Sequence, residues 1–533
     1  MRHRYARWRR FAGVDGRITH EQQSSEHERP DRVRQIGLWR GTEARQCQSR
    51  RPSRGRESDW FIVPVKPSKE TRRVEGRDQP GRTPHEERRV RTQSRITLPA
   101  NLARVNAAAR AAVQTRFTAL LHHVDVEALE RAFRRQKRQA SAGVDGITVA
   151  DYEQNLEGNL QDLCTRVHTG RYRPQPVRRV YIPKADGGRR PLGVPTLEDK
   201  IVQGAVAETL SAIYEVDFLG FSYGFRPGRN PHQALSSLHT AIMSQRANWV
   251  LDADIRSFFD SVDHEWLMRM LGHRIADSRV LRLIRMWLEA GVLESDEKYE
   301  TTRGTPQGAG ISPLLANIFL HYALDLWVHQ WRRRHARGRV SIVRYADDFV
   351  MGFESGIDAR RMLADLKERL AKFGLALHED KTRLIEFGRF AAVSREKRGE
   401  RRPETFAFLG FTHYCGRTRD GRFIVKHKTQ SNRLTRKLKA VRQEAWRRMH
   451  TPLSEQHRWF ASILRGHYGY FGMPHNWPAL NGFLRQIRRI WLVCLRRRSQ
   501  KSRRMSWGLF EHLTVRFPLP TPRITHPWTP RAA

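Results

Sequence analysis

Two adjacent aspartates, Asp347 and Asp348, stand between the two apolar runs of residues 342–353. Apolar runs on both sides of a short polar break predict a β-hairpin, here with both carboxylates at its tip. Two like charges held side by side repel each other, and divalent cations are the simplest compensation. Mg2+ prefers oxygen ligands and binds through one or two carboxylates together with substrate phosphates. Most Asp-Asp pairs are ordinary turn residues, so a cation site needs a second acidic element.

Such an element lies in residues 249–255. A β-strand alternates its side chains between two faces, so Asp252 and Asp254 would share one face of this segment. The other face is apolar and carries Trp249, Leu251, Ala253 and Ile255. The pattern predicts a strand whose apolar face is buried while its acidic face meets the hairpin. Alternation alone leaves open which of the two aspartates has a function.

The composition restricts the partners of this site. Lys and Arg number 98 against 55 Asp and Glu, which gives a formal net charge of +43. A surplus of this size indicates a polyanionic partner, and nucleic acid is the obvious one. An acidic membrane surface is the alternative. However, no stretch approaches the ~20 apolar residues of a spanning helix, and the Arg-rich start lacks the apolar core of a signal peptide. We therefore expect an intracellular protein without a membrane partner.

The cysteines predict neither a zinc site nor a disulfide framework. They are widely scattered and form no Cys-x-x-Cys pair that could hold zinc or belong to a disulfide framework. We expect ordinary reduced thiols at all of them: Cys47, Cys164, Cys415 and Cys494.

Changes of pattern along the chain predict four regions. Residues 1–95 are rich in Arg, Gln, Ser, Pro and Glu and are expected to be disordered, either as an RNA-binding arm or as an extension without a fold. Residues 96–174 have helical spacing, and residues 175–427 mix short strands with helices, which predicts an α+β region that contains the chemistry. Residues 428–533 predict basic helices, because an apolar stripe runs along an Arg- and Lys-rich segment. The stripe consists of Leu434, Leu438, Val441, Ala445 and Met449.

The two acidic elements together resemble the palm of reverse transcriptases. Residues 254–264 look like the first palm motif of that family, and residues 345–348 look like its Tyr-x-Asp-Asp hairpin. The resemblance implies a right-hand polymerase fold, in which a sheet-containing palm and fingers precede a helical thumb. It also selects Asp254 over Asp252. The remaining aspartates of the first motif, Asp260 and Asp263, would then be structural.

The same resemblance implies the catalytic set. Asp254, Asp347 and Asp348 would be catalytic, with two Mg2+ ions held by Asp254, Ile255 and Asp347 and with Asp348 assisting. Two ions stabilise the attacking 3′-oxygen of a primer and the leaving pyrophosphate in an in-line displacement. No protein nucleophile is therefore expected.

Further family motifs imply contacts to the incoming nucleotide and the template. Residues 184–193 predict a hairpin with a Gly-Gly turn and cations at both ends, although a basic hairpin is often merely solvated. A glycine-rich loop at residues 304–310 resembles the family's Pro-Gln-Gly motif. By resemblance the nucleotide-binding residues include Lys184, Arg190, Gln307 and Lys381. A template-binding role is likewise implied for Arg226, in the Phe-Arg-Pro-Gly run of residues 225–228.

Two adjacent phenylalanines predict the choice of sugar. A bulky ring beneath the sugar collides with a ribose 2′-hydroxyl, so Phe258 and Phe259 favour dNTPs. We favour Phe258 as this steric gate, with Phe259 as the alternative, and we expect one of the two rings to be an ordinary core residue.

The resemblance extends from about residue 97 to residue 500 and is most similar to group II intron-encoded proteins. Residues 142–146 look like part of their N-terminal extension, and residues 464–472 look like part of their thumb or maturase domain. This implies binding of intron RNA, which the protein would help to splice and would copy into DNA. The RNA-binding candidates are Arg433, Lys437, Arg465, Tyr468 and Tyr470.

This subclass sets further expectations. The partners would be intron RNA as template, a DNA primer or target, and dNTPs, in the bacterial cytoplasm. Many relatives carry a zinc-supported nuclease at the C-terminus, and the lack of cysteine pairs near Ala533 leads us to expect none here. The sequence leaves the oligomeric state open.

Two alternatives remain. A splicing maturase that no longer polymerises would not need metal ligands, and the intact set of Asp254, Asp347 and Asp348 argues against it. A retron-type or diversity-generating reverse transcriptase would keep the polymerase. The extended basic C-terminal region argues against that reading.

Overall fold

The computed structural model describes residues 99–183, 188–294, 297–300, 302–305 and 308–527. All of them belong to one compact unit, Ser58–Ala533. Some of the predictions above fall outside the described residues: the disordered segment at 1–95, the thiol of Cys47, and the nucleotide contacts of Lys184 and Gln307. In the ranges that are described, no helix is long and apolar enough to cross a membrane.

Helices occupy the first part of the described chain. They are α1 (Ala100–Ala111), α2 (Val126–Arg134), α3 (Val149–Glu153) and α4 (Leu156–His168), with a 3-10 turn at Leu121–His123. Asp125 separates that turn from α2 and caps the helix by accepting a hydrogen bond from the Ala128 amide at 2.8 Å. Such a cap stabilises a helix start because it satisfies an amide without an intrahelical partner. These helices share one apolar core with α5 (Leu197–Asp217).

A first sheet has the strand order β2-β1-β4-β5. Its strands are β1 (Val177–Pro183), β2 (Arg189–Val194), β4 (Val292–Glu294) and β5 (Glu297–Tyr299). β1 and β2 form the predicted antiparallel hairpin, in which Arg190 pairs with Ile182 through the backbone. The side chain of Arg190 is not among the described parts of the chain.

The central sheet contains both acidic elements. Its order is β6-β7-β3-β8, and all its pairings are antiparallel. The strands are β3 (Trp249–Asp254), β6 (Val340–Tyr345), β7 (Asp348–Phe353) and β8 (Arg383–Glu386). One face of this sheet packs on the core that contains α5, through residues such as Leu251 and Phe349. The other face packs on a second core through Val250 and Val350.

Helices surround these sheets and connect their strands. They are α6 (Pro231–Ser244), α7 (Phe258–Ser261), α8 (His264–Gly272), α9 (Ser278–Glu289), α10 (Ser312–Leu320), α11 (Leu326–Arg334) and α12 (Gly356–Ala371). A π-helical turn, His321–Asp325, joins α10 to α11 without a break. Asp263 caps α8 by accepting from the Trp266 amide at 2.9 Å, so this aspartate has the expected structural role.

A third sheet precedes the C-terminal helices. It has the order β11-β10-β9 and contains β9 (Phe406–Phe408), β10 (Phe411–Arg417) and β11 (Phe423–Thr429), with α13 (Ala391–Lys397) before it. The described chain then continues as α14 (Ser431–Arg447), α15 (Leu453–Phe471), α16 (Trp477–Arg497) and α17 (Trp507–Arg516), with a 3-10 turn at Lys501–Arg504. The predicted stripe of α14 packs into the core of these helices, where Val441 and Ala445 are buried. The chain therefore has the expected mixed α and β content.

Candidate active site

Two aspartates face each other across neighbouring strands. Asp254 is the last residue of β3 and pairs with Asp348, the first residue of β7. Directly opposed residues of antiparallel strands point to the same face, with Cβ atoms roughly 4.5–5.5 Å apart. Asp347 lies beside them in the turn that joins β6 to β7. The strand alternation expected from the sequence is confirmed, because Leu251, Ala253 and Ile255 are buried on the opposite face.

The acidic face has an unfavourable electrostatic balance. Burial raises the pKa of Asp348 well above its usual range, and the neighbouring carboxylates of Asp252, Asp254 and Asp347 raise it further. Arg433 of α14 lowers the pKa of Asp348, but this effect is smaller. Burial also raises the pKa of Asp252, to about 6. A cation placed among these carboxylates would therefore be strongly favoured.

Two cations from β8 and the loop before it already touch this face. Lys381 Nζ donates a hydrogen bond to Asp254 Oδ2 at 2.7 Å, and Arg383 Nη2 lies 3.5 Å from Asp252 Oδ2. The sequence assigned Lys381 to the nucleotide, whereas in the structure its ammonium neutralises a carboxylate. Its side chain is 60% exposed, and its contact with the nucleotide stays a prediction.

The structure reverses our preference between the two phenylalanines. Phe258 is 2% exposed and packs edge-on against Phe319, as a core residue does. Phe259 is only partly buried, and its carbonyl accepts a hydrogen bond from the Thr305 amide at 2.7 Å. Thr305 belongs to the glycine-rich loop in which the resemblance placed the nucleotide. Phe259 is therefore the candidate gate.

The glycine-rich loop approaches both the gate and the first sheet. The Gly304 amide donates to the Val262 carbonyl at 2.7 Å, and His264 Nε2 is 2.7 Å from the Gly304 carbonyl. At the other end of the loop, Gly308 has φ +114°, and a Cβ there would lie 2.4 Å from the Gly193 carbonyl oxygen of β2. Only glycine permits such a close approach of two backbones.

Comparison with known proteins identifies the family to which this chain belongs. Protein YkfC of Escherichia coli (strain K12) is 36% identical over 275 residues, which cover 45% of this chain and 71% of YkfC. The family model described as "Reverse transcriptase (RNA-dependent DNA polymerase)" matches residues 182–413, which include both acidic elements and the glycine-rich loop. This chain belongs to the reverse transcriptase family.

Further relatives of this reverse transcriptase are intron proteins by name. Group II intron-encoded protein LtrA of Lactococcus lactis subsp. cremoris is 38% identical over 207 residues, 39% of this chain and 34% of LtrA. Putative COX1/OXI3 intron 2 protein of Saccharomyces cerevisiae is 34% identical over 212 residues, 39% of this chain and 24% of that protein. The chain thus matches about a third or less of the length of these two relatives. The predicted likeness to group II intron proteins and the predicted enzyme class, an RNA-directed DNA polymerase, are confirmed.

The acidic residues fit the divalent metal that reverse transcriptases generally use. As they stand, no group of three or more His, Cys, Asp and Glu side chains within the described residues is arranged to hold a metal ion. The donor set is nevertheless all oxygen, and the raised pKa of Asp348 shows that its charged form lacks compensation. Ile255 has a buried apolar side chain, so only its backbone carbonyl qualifies as a ligand. On either side of Ile255, the Asp254 carbonyl accepts a hydrogen bond from the His378 amide, and the Arg256 amide donates one to the Ala376 carbonyl. Because backbone groups alternate in direction along a strand, the Ile255 carbonyl points to the opposite side, towards β7.

Two of the predicted RNA contacts are wrong. Arg226 is 7% exposed and forms a buried ion pair with Glu215, with Nη2 2.9 Å from Oε2, while its Nη1 donates to two backbone carbonyls. Its guanidinium therefore stabilises the fold and does not face a template. Tyr468 is 2% exposed in the core of the C-terminal helices, and its hydroxyl donates to the Pro520 carbonyl.

The other predicted RNA contacts divide into two kinds. Tyr470 is partly buried between α15 and the third sheet, where its hydroxyl donates to the Leu409 carbonyl at 2.9 Å. An RNA contact of its ring stays a prediction, and the ring could make such a contact only where α15 meets the third sheet. By contrast, Arg433, Lys437 and Arg465 are exposed, as an RNA-binding role requires.

Sequence reasoning missed two electrostatic contributors to the site. Asp252 was set aside in favour of Asp254, yet among the charged neighbours it raises the pKa of Asp348 the most. Strand alternation placed it on the correct face and was the available signal. Arg433 was predicted to bind RNA, and nothing in the sequence indicated that α14 brings it to the acidic hairpin.

Replacing Asp348 with asparagine is expected to stabilise the metal-free protein at pH 8. Because the folded state raises the pKa of this carboxyl, the folded chain binds more protons than the unfolded chain above pH ~4, and stability falls as the pH rises through the folded pKa. Asparagine mimics the neutral carboxyl and avoids that loss. Thermal unfolding in a chelator should give a higher Tm for Asp348→Asn at pH 8 and equal Tm values near pH 4.

The exposed Asp420 provides the control for this measurement, because Asp420→Asn should leave the Tm unchanged at each pH. A Tm of Asp348→Asn at or below that of the wild type at pH 8 would contradict the electrostatic description of the hairpin.

Proposed function

We propose that this polymerase has the right-hand fold and extends a primer 3′-hydroxyl with dNTPs by two-metal phosphoryl transfer. The central sheet would be the palm, the β1–β2 hairpin part of the fingers, and α14–α17 the thumb. One observation carries the proposal: the opposed pair of Asp254 and Asp348, with Asp347 in the adjoining turn, forms an acidic face that needs cations. Phe259 follows Asp254 by five residues, and the Thr305 amide of the glycine-rich loop donates a hydrogen bond to its carbonyl.

The residues of the chain would divide the work as follows. Asp254, the Ile255 carbonyl and Asp347 hold the metals, and Asp348 completes the negative face. Bound Mg2+ ions supply charge stabilisation at the attacking and leaving oxygens. Lys381, released from Asp254, offers its ammonium to the phosphates of the nucleotide or to the departing pyrophosphate. The roles of Lys184, Arg190 and Gln307 at the nucleotide stay predictions.

Phe259 would exclude ribonucleotides. Its backbone is held by the hydrogen bond that the Thr305 amide donates to its carbonyl, so the main chain that carries the ring cannot shift without moving the nucleotide loop. A fixed ring next to C2′ clashes with a hydroxyl and leaves room for hydrogen. Steric discrimination of this kind acts on ribonucleotides without a cost for dNTPs.

Primer extension on an RNA template with Mg2+ tests this proposal. The wild type should extend the primer with dNTPs and scarcely with rNTPs, whereas Phe259→Ala should raise rNTP incorporation by on the order of 10–100-fold. Phe258→Ala is the matched control. It should lower stability by about 3–5 kcal/mol, because it leaves a cavity in the core, while the ratio of dNTP to rNTP use stays unchanged. Absence of dNTP product from the wild type would refute the polymerase mechanism, and an unchanged sugar preference in Phe259→Ala would refute the gate.

We also propose that the C-terminal helices bind structured RNA, as a maturase does. The names of the intron-encoded relatives motivate this role, and the surface of α14 supports it. Exposed cations occupy the surface of that helix outside its apolar stripe: Arg433, Arg436, Lys437, Lys439, Arg442 and Arg447. Such a row would bind phosphates with a steep dependence on salt, which filter binding of a group II intron transcript would measure.

A further inference from the structure

Arg344 is a fully buried cation two residues before the turn of the catalytic hairpin. It is 0% exposed, as is its ion-pair partner Asp325. Arg344 Nε donates to Asp325 Oδ1 at 2.8 Å, and Nη2 donates to the other carboxylate oxygen at 2.5 Å. The same Nη2 donates to Ser222 Oγ at 2.8 Å. Removing both charges from water costs several kcal/mol per ion, so a buried pair of this kind is weak evidence for a stabilising role.

The remaining donor of Arg344 holds the turn itself. Nη1 donates to the Ala346 carbonyl at 2.9 Å. Ala346 has φ +59°, a left-handed conformation that is unfavourable for a residue with a Cβ. A strained backbone conformation persists only where surrounding groups hold it in place. At Ala346, the hydrogen bond that Arg344 donates to its carbonyl is one such restraint.

Asn317 connects this network to the helix that follows the nucleotide loop. Its Oδ1 accepts from Arg344 Nη1 at 3.0 Å, and its Nδ2 donates to the Gly224 carbonyl at 2.7 Å. Gly224 in turn lies against the turn, since a Cβ on it would be 2.3 Å from the Ala346 nitrogen. One amide side chain on α10 therefore restrains both segments that enclose Ala346.

The π-helical turn explains how Asn317 and Asp325 reach the same guanidinium. In a regular α-helix, two residues eight positions apart are rotated about 80° from each other at ~100° per residue. A single π turn accommodates one extra residue, so the eighth residue falls where the seventh would be, about 20° from alignment. The π turn at residues 321–325 thus places Asp325 on the side of the helix that Asn317 occupies.

From these contacts we infer that Asp325, Asn317 and Ser222 are positioning residues, which act through Arg344 to set the catalytic turn for metal binding. The inference rests on the proposed function and deepens it. None of the three side chains is required to touch substrate. They fix the backbone on which Asp347 and Asp348 are presented, and they join that backbone to the helix behind the nucleotide loop.

Metal binding and steady-state kinetics together test this inference. Asn317→Ala and Ser222→Ala each remove one restraint and leave the ion pair intact, whereas Asp325→Asn removes the charge of the partner. The matched control is Asp217→Asn, which breaks a buried pair with Arg274 at 2.9 Å and 2–3% exposure. The Arg274 guanidinium donates to backbone carbonyls of residues 109–115 and not to the catalytic turn. For each variant we would measure the Tm, Mn2+ binding by electron paramagnetic resonance, and kcat and KM for dNTP on an RNA template.

The positioning variants should bind Mn2+ about tenfold more weakly and lose on the order of 10–100-fold in kcat, with KM for dNTP within about threefold of wild type. Asp217→Asn should lower the Tm and leave Mn2+ binding and kcat unchanged. If Asp325→Asn fails to fold, the two milder variants still decide the question. Wild-type Mn2+ binding and kcat in both of them would overturn the inference. A wild-type chain that neither extends a primer nor binds Mn2+ would overturn the proposed function as well.

Discussion

Asp254→Asn and Asp347→Asn are each expected to reduce primer extension by about 10³-fold or more, because losing several kcal/mol of transition-state stabilisation has an effect of that size. The amide keeps the shape of the side chain and removes the charge that holds a metal. Asp254 has an additional role, since its carboxylate also binds Lys381. Single-turnover extension of a primer on an RNA template, with saturating dNTPs and Mg2+, measures the effect.

Asp263→Asn is the control for both variants. Asp263 belongs to the same sequence motif as Asp254, but it caps α8, and asparagine caps a helix about as well as aspartate does. Its activity should stay close to that of the wild type. Equal losses in all three variants would mean that the motif contributes stability and not metal ligands, and an active Asp347→Asn would exclude the two-metal mechanism.

Gly224→Ala is expected to be the most damaging change outside the carboxylates. The added Cβ would meet the Ala346 nitrogen at 2.3 Å and the Tyr345 carbonyl carbon at 2.9 Å, both of them backbone atoms that no rotamer change can move. The hairpin would have to shift by a sizeable fraction of an ångström. Misplacement of about 1 Å costs on the order of 10²-fold in rate, so we expect a loss of about that size in kcat.

Gly220→Ala provides a control four residues earlier in the same segment. A Cβ at Gly220 has no heavy atom within 4 Å, so this variant should keep the wild-type kcat. A Gly224→Ala enzyme with wild-type kcat would show that the hairpin tolerates displacement, which would also weaken the case for restraint of the turn by Arg344.

The sequence predicted the central part of the site because strand alternation is a local property. Side chains that alternate every two residues predict both the apolar and acidic faces of β3 and the hairpin of residues 342–353, and the structure contains both. The structure does not support the preference for Phe258 as the gate, because the strand alternation ends before this residue. Ser257 has φ +44°, so the strand stops and the short helix α7 turns Phe258 into the core. A left-handed serine has no reliable signature in a single sequence.

The predicted RNA contacts of Arg226 and Tyr468 differ from the structure for two reasons: one side chain has an ion-pair partner elsewhere in the chain, and the other lies on the buried side of a helix. Arg226 looked free because its partner, Glu215, lies in the preceding helix. Tyr468 was predictable, since Phe460, Leu464 and Tyr468 recur every four residues and mark the buried side of α15. Arg465, one residue after Leu464, is exposed, as the same helical period requires.

At the proposed metal site, the raised pKa of Asp348 would make protons a product of cation binding. A carboxyl with a raised pKa holds its proton to a higher pH than an ordinary aspartate does and must release it before it can assist a metal, so protons and metal ions would compete for one group. The two equilibria are linked: binding of a cation releases a fraction of a proton, and removal of that proton at higher pH increases the affinity of the site for the cation. We therefore expect the Mg2+ concentration that the proposed polymerase site needs to depend on pH, and to decrease as the solution becomes more alkaline.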